Sequence, residues 1–504
     1  MPSASPGGLS PRLAALLAFG AGVLTLFAFA PFGLYPLAVA GPALLLWIWS
    51  RSSARQALLA GWLFGVGLLG PGVSWLHISI DQFGNVGTPL AILITLLFVL
   101  LLALFYALPG WLARRLLPQA EDRPSFLLLA ALLWLLAEWS RGWFLTGFPW
   151  LSLGYSQIDS PLAGWGPVIG VHGIGLLLLV SAVSLVLLVT GPWSRRLAAG
   201  LLLLSIWLGG YALQQVNWVV PAGPSLRVSI VQGNIAQAEK WKPANLRPTL
   251  AMYRRLTLAQ READLVIWPE TAVPSFVGRV DASFLRPLQR QLEERDTTLL
   301  LGIAEWDRDR GQYYNSMLAL GSGGRASYRK RHLVPFGEYM PLKAWLRPLI
   351  DWLQIPMSDF APGDRSRPPL LTLAGYPAGI SICYEDAFGD EVAAGLPTAA
   401  FLVNASNDAW FGDSLALPQH LQIARMRALE SGRFLLRATN TGISAIIDPD
   451  GGLAAVAPAF RRTVLDGRVL PLAGRTPYVR IGDWPLLLLA LAGSGLLVWS
   501  GRRR

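Results

Sequence analysis

Three residues of unlike type, Glu270, Lys330 and Cys383, hold the chemical interest of this chain of 504 residues. Cys383 is the single cysteine, so it has no partner for an intramolecular disulfide. It lies in Pro377-Ala-Gly-Ile-Ser-Ile-Cys-Tyr-Glu-Asp386, where an apolar run that reads as a buried strand turns polar. The thiol is therefore expected at the carboxyl end of a strand, where chemistry collects in α/β sheets. Glu270 ends Leu265-Val-Ile-Trp-Pro-Glu, a second apolar run, stopped by Pro269. Lys330 lies in Tyr328-Arg-Lys-Arg-His-Leu-Val-Pro-Phe-Gly-Glu338. A carboxylate to take the thiol proton, a thiol to attack, and an ammonium to face charge growing on a carbonyl oxygen are what acyl transfer through a thioester needs.

Taken singly, each residue has a plainer reading. A lone cysteine is often a small core hydrophobe. A glutamate after a strand is usually a solvated turn residue, and a lysine inside Arg329-Lys-Arg331 belongs to a solvated basic face. The argument for chemistry is that the three recur at strand edges within one segment, 224–478. There 226–231, 263–268, 297–305, 314–320, 378–383, 399–404, 434–439 and 444–448 read as strands, with 246–262 and 421–430 as helices. Alternating and wholly apolar strands with helices between them predict layered α/β packing in one domain. Lysine is rare, at Lys240, Lys242, Lys330 and Lys343, against many arginines, which makes each lysine worth attention.

Composition places this domain on a membrane protein: 53% of the residues are hydrophobic and 14% charged, too apolar for an ordinary soluble enzyme. The net charge of +11 does not point to nucleic acid, because the arginines are scattered or flank apolar runs. Runs at 13–30, 35–49, 56–77, 88–112, 125–139, 163–190, 197–214 and 484–499 read as spans of a helical bundle of about eight, each near the ~20 residues that cross a hydrocarbon core. The second, with Pro42, is short. The expected domains are thus a membrane domain 1–223, a catalytic domain 224–478, and a last span with a basic tail, 479–504. Arg51 and Arg55, Arg114, Arg115 and Arg123, Arg195 and Arg196, and Arg502 to Arg504 follow alternate spans, whereas 31–34 and 79–87 carry no arginine or lysine. This bias predicts that the basic loops are cytoplasmic and that 224–478 lies outside the cytoplasm. His77, Asp81, Glu138, Arg141 and His172 sit in or beside spans, where charge is usually paired, and Glu138 and Arg141 are spaced to pair on one helix.

The elements Trp268-Pro-Glu-Thr271, Lys330-Arg-His-Leu-Val-Pro-Phe-Gly-Glu338 and Cys383-Tyr-Glu385 resemble the nitrilase superfamily. Joined to a membrane bundle, they resemble the bacterial apolipoprotein N-acyltransferase family, a resemblance that takes in Ser406-Asn-Asp-Ala-Trp-Phe-Gly412, Arg425-Met-Arg-Ala-Leu-Glu430 and Arg437-Ala-Thr-Asn440. It implies an αββα sandwich facing the periplasm of the bacterial inner membrane. The activity implied is the final step of lipoprotein maturation, in which an acyl chain moves from a phospholipid to the α-amino group of an apolipoprotein's S-diacylglyceryl-cysteine. By the same resemblance Cys383 is the nucleophile, Glu270 the general base and Lys330 the oxyanion stabiliser. Glu338 orients the lysine, Tyr384 and Glu385 support the nucleophile, and Trp241, Trp410 and Phe411 lie on loops that meet lipid.

Two other classes compete. A transporter with an extracytoplasmic domain predicts inverted repeats and broken helices with mid-membrane polar residues, and the sequence suggests neither. A membrane-tethered amidase would form the same thioester and release it to water. An acyl donor held in the bilayer explains the many spans more simply. No cofactor is expected: the histidines are dispersed, Cys383 has no ligand partner at metal spacing, and no glycine-rich phosphate loop occurs. The chain is expected to act as a monomer on its phospholipid donor and apolipoprotein acceptor.

Overall fold

The computed structural model of the protein describes residues 10–84, 86–118, 124–339 and 359–503; Arg123, Lys343 and Arg504 lie outside them. The chain forms two compact units. One comprises Met1–His77, Gly87–Val216 and Arg480–Arg504, the other Ile78–Val86 and Asn217–Val479.

The first unit is helical, and each apolar run of the sequence forms a helix: Pro11–Leu26, Leu37–Ser50, Ala54–Gly72, Thr88–Leu102 with Leu104–Leu116, Pro124–Arg141, Gly166–Thr190, Trp193–Leu213 and Trp484–Arg502. Among the described residues, five helical stretches are long and apolar enough to cross a membrane, or six if Ala54–Gly72 and the following Leu76–Gly84 count as one bent span. Pro11–Leu26 and Leu37–Ser50 are apolar but shorter. Glycines let these helices touch backbone to backbone: a Cβ on Gly22 would sit 2.1 Å from the Phe64 carbonyl oxygen, and one on Gly61 2.2 Å from that of Tyr106. The sequence suggested unbroken helices, yet Gly166–Thr190 breaks at Gly170, whose φ of 65° and ψ of −176° only a residue without a Cβ adopts freely.

The polar residues of this bundle serve its loops. Arg141 donates to the Phe148 and Trp150 carbonyl oxygens at 3.0 and 2.6 Å, and to Ser152 Oγ at 3.2 Å. Glu138 Oε1 accepts from the Leu153 amide at 3.1 Å. His172 Nδ1 meets Asp483 Oδ2 at 3.0 Å, tying the start of one helix to the start of the last. Buried polar groups are thus matched to backbone that helix geometry leaves open.

The second unit is a four-layer α/β sandwich. One sheet runs Thr463–Val469, Leu226–Gln232, Leu265–Ile267, Thr298–Asp307, Gln312–Gly321 and Gly324–Arg329, with Val273–Phe276 also paired to Thr298–Asp307. The other runs Leu453–Val456, Ala445–Ile447, Leu435–Thr439, Phe401–Ser406, Tyr376–Ile382 and Leu370–Leu373. Alternation along the strands builds both interfaces at once. Val228, Ile230, Leu265, Ile267 and Met317 of the first sheet join Ile380, Ile382, Phe401, Val403 and Leu436 of the second in a core between the sheets. The intervening Val231, Val266, Leu299 and Leu301 face outwards, onto the helices Pro243–Ala259 and Arg286–Glu293. On the far side Leu402 and Leu435 meet Leu421, Ala424 and Ala428 of the helix Ala416–Ser431. Strands covered on both faces are apolar at nearly every position, which is why the central ones show no polar alternation in the sequence.

Candidate active site

Cys383 follows the strand Tyr376–Ile382 directly and starts a short 3-10 turn, Cys383–Ala387. Its φ of 53° is a left-handed conformation costly for a residue with a Cβ, and it bends the chain sharply at the strand end. Glu270 stands three residues beyond Leu265–Ile267, and its neighbour Thr271 is also left-handed, at φ 47°. That turn passes so close to Gly302 that a Cβ there would lie 2.4 Å from the Pro269 carbonyl oxygen. Lys330 comes immediately after Gly324–Arg329. All three side chains are thus held by strand ends, as the sequence suggested.

They converge. Lys330 Nζ lies 3.5 Å from Glu270 Oε1 and 2.8 Å from Glu338 Oε2, with the lysine 1% and Glu270 6% exposed. Asn315 Nδ2 donates to Glu270 Oε1 at 2.6 Å and to Glu338 Oε1 at 2.9 Å, joining both carboxylates; on Glu270 it shares Oε1 with the lysine, and on Glu338 it takes the oxygen the lysine leaves. Antiparallel pairing puts Asn315 there, because the Lys330 amide donates to the Asn315 carbonyl oxygen at 2.8 Å. Glu385 braces the Cys383 turn against the other sheet. It accepts from the amides of Ile382, Arg331 and His332 at 2.7, 2.6 and 3.1 Å, and from the Tyr328 hydroxyl at 3.0 Å. Tyr384 stands half-buried with its ring edge-on to Phe388, 5.1 Å away, and to His332.

Burial works against every charge in this site, and the neighbours decide which survive. The Cys383 thiol is pushed well above its ordinary range by burial and by the Glu270 charge, against the opposing pull of Lys330. The resting cysteine is therefore a thiol that needs a base. Burial would lower the Lys330 ammonium, but Glu338 and Glu270 outweigh it and hold the charge far above neutrality. Burial raises Glu385 to about 7, while the backbone amides and Lys330 pull it down.

Behind Cys383 lies a buried ionic cluster. Arg437 donates to Asp386 Oδ2 at 3.2 Å, Asp408 Oδ2 at 3.0 Å and Asn404 Oδ1 at 2.8 Å. His420 bridges Asp408 and Asp386 at 3.0 and 2.9 Å. Asn404 also donates to the Cys383 carbonyl oxygen at 3.1 Å, so the cluster fixes the strained turn. Of the residues expected to meet lipid, Trp241 is 48% exposed at the end of the short helix Gln237–Lys240, while Trp410 and Phe411 are half-buried in the turn Asp408–Phe411. Trp410 packs edge-to-face on Phe83, with ring centroids 4.5 Å apart. The sequence reading missed Asn315, Asn404, His420, Asp386 and Lys240. Asn404 and Asp386 stand at or just past the ends of apolar runs, and Lys240 is one of the rare lysines.

Residues 21–184 match the family described as apolipoprotein N-acyltransferase N-terminal domain, and residues 227–477 the carbon-nitrogen hydrolase family. The chain is 46% identical over 497 residues to the apolipoprotein N-acyltransferase of Methylococcus capsulatus, covering 97% of both chains. To that of Nitrosomonas europaea it is 45% identical over 495 residues, covering 97% of this chain and 98% of the relative. To that of Vibrio cholerae it is 41% identical over 506 residues, covering 98% and 99%. With relatives this similar from end to end, the chain belongs to the apolipoprotein N-acyltransferase family, an α/β unit of the carbon-nitrogen hydrolase kind joined to apolar helices.

Proposed function

We propose that this chain moves an acyl chain from a phospholipid to the α-amino group of the N-terminal S-diacylglyceryl-cysteine of apolipoproteins, through a thioester on Cys383. The observation that carries this reading is the convergence of Glu270, Lys330 and Cys383 at strand ends, in a chain aligned over 97% of its length with enzymes of that name. Glu270 takes the thiol proton as sulfur attacks the ester carbonyl, and Lys330 faces the oxyanion. The carbon–oxygen bond breaks, the lysophospholipid oxygen takes the proton back from Glu270 as it leaves, and the acyl group stays on sulfur. The acceptor amine then attacks the thioester, giving its proton to Glu270, which passes it to the departing sulfur as the carbon–sulfur bond breaks and the thiol is restored.

In this reading Glu338 and Glu385 hold the lysine and the nucleophile's turn, Tyr384 supports the latter, and Trp241, Trp410 and Phe411 contact acyl chains. The chain acts as a monomer of eight spans in the inner membrane, with 1–223 and 479–504 in the bilayer and 224–478 in the periplasm. The test is to give the purified protein phospholipid with a labelled acyl chain and a diacylglyceryl lipopeptide. Label should reach the lipopeptide's amine, and more slowly in Trp410→Ala. Release as free fatty acid at the same rate with and without the lipopeptide would mark a hydrolase instead.

A further inference from the structure

Lys240 is a buried charge that the chemistry above does not use. It is 1% exposed, at the end of the helix Gln237–Lys240 and next to Trp241. Its Nζ donates to the carbonyl oxygen of Glu270 at 3.2 Å and to Thr271 Oγ1 at 2.6 Å. Both acceptors belong to the turn that aims the Glu270 carboxylate, and Thr271 is the residue whose backbone is strained there. A strained conformation persists only where its surroundings over-determine it, and a charged donor on two neighbouring oxygens does that.

The same loop is tied at its other end to the sheet that carries Cys383. Asn440 accepts from the Ile235 amide at 3.0 Å and donates to the Ile235 carbonyl oxygen at 2.7 Å. Gln237 Oε1 accepts from Asn407 Nδ2 at 2.8 Å. The segment from 235 to 241 therefore spans from the nucleophile's sheet to the base's turn, with Lys240 as its last fastening before exposed Trp241. Burial pushes the Lys240 ammonium down to about 8 while the Glu270 charge holds it up, so at neutral pH it remains mostly charged.

We infer that Lys240 is a positioning residue for the general base: it clamps the Glu270–Thr271 turn and couples the Trp241 loop to the proton transfer at Cys383. The inference rests on Glu270 being the base, as proposed above. Its test reads Cys383 directly, in the full-length protein, as the rate of alkylation by iodoacetamide at pH 7, beside the rate of acylation by phospholipid. Lys240→Met should slow both by about tenfold or more, the loss of a charge-assisted hydrogen bond. Lys240→Arg, which keeps a charged donor, should recover a substantial part of both. A purely structural role would lower the melting temperature of Lys240→Met and leave the rates of the folded fraction unchanged, which overturns the inference. If Lys240→Met does not fold, Thr271→Val carries the test. Losing one acceptor should cut both rates about threefold at unchanged melting temperature, and unchanged rates again overturn it. Because iodoacetamide needs no lipid, wild-type protein that alkylates normally but never acylates would count against the proposed function and not against this clamp.

Discussion

Asn315 holds the two carboxylates of the site from a single amide nitrogen, at 2.6 Å from Glu270 and 2.9 Å from Glu338, so one side chain sets the spacing of the groups on either side of Lys330. Hydrogen bonds to charged groups contribute about 1.5–3 kcal/mol, and each ~1.4 kcal/mol lost in the transition state is tenfold in rate. Asn315→Ala is therefore expected to slow acylation of Cys383 by roughly ten- to a hundredfold, measured in a single turnover with excess phospholipid. A rate within threefold of wild type would mean that the carboxylates keep their places without it. Cys383 and Glu270 were legible in the sequence because each stands where an apolar run meets a polar one, and Lys330 because of the motif Lys330-Arg-His-Leu-Val-Pro-Phe-Gly-Glu338. Asn315 was not, since nothing in Gln312–Gly321 announces that its partner across the ladder is the segment ending in Lys330. Register is a tertiary fact, and it decides which polar residue reaches the site.

At the scale of elements, the Cys383 turn depends on two strands, Phe401–Ser406 and Leu435–Thr439, whose Asn404 and Arg437 join Asp386, Asp408 and His420 in one cluster. Burial and the Arg437 charge would lower the His420 imidazole, but Asp386 and Asp408 outweigh them and raise it to about 9 from 6.5. A histidine whose folded value is raised contributes stability that is complete below its unfolded value and lost as pH rises through the folded one. The wild-type α/β unit should thus lose melting temperature between pH 6.5 and 9, and His420→Gln should lose less over the same window, followed by tryptophan fluorescence. Parallel slopes for the two proteins would remove His420 from the pH response. The sequence reading found the central strands and the helix Ala416–Ser431, because apolar runs between turn residues survive without tertiary context. It missed Gly324–Arg329 and Thr463–Val469, edge strands with mostly exposed or half-buried residues whose pairing comes from their neighbours.

For the whole molecule, the arginine bias predicts a direction in the membrane. Arg114, one of the residues behind that bias, is buried, with its Nε donating to the Trp49 carbonyl oxygen at 2.9 Å, so it also closes a helix end. Arg51 is exposed after Leu37–Ser50, and Gly311 is exposed in the α/β unit. In a Cys383→Ala background, Arg51→Cys and Gly311→Cys should be labelled from opposite faces of the membrane by an impermeant maleimide; labelling of both from one face contradicts the orientation. The apolar helices were legible because hydropathy needs no partner, whereas the break at Gly170 was hidden in an apolar run that composition alone reads as continuous helix. In the proposed mechanism the acyl group rests on Cys383 between donor and acceptor. Incubation of the protein with phospholipid and no amine should add the mass of one acyl chain to the peptide containing Cys383, and a diacylglyceryl lipopeptide added afterwards should remove it as its own amine is acylated. An acceptor acylated by the Cys383→Ala variant, or a Cys383 peptide that never gains the acyl mass while transfer proceeds, would contradict the account.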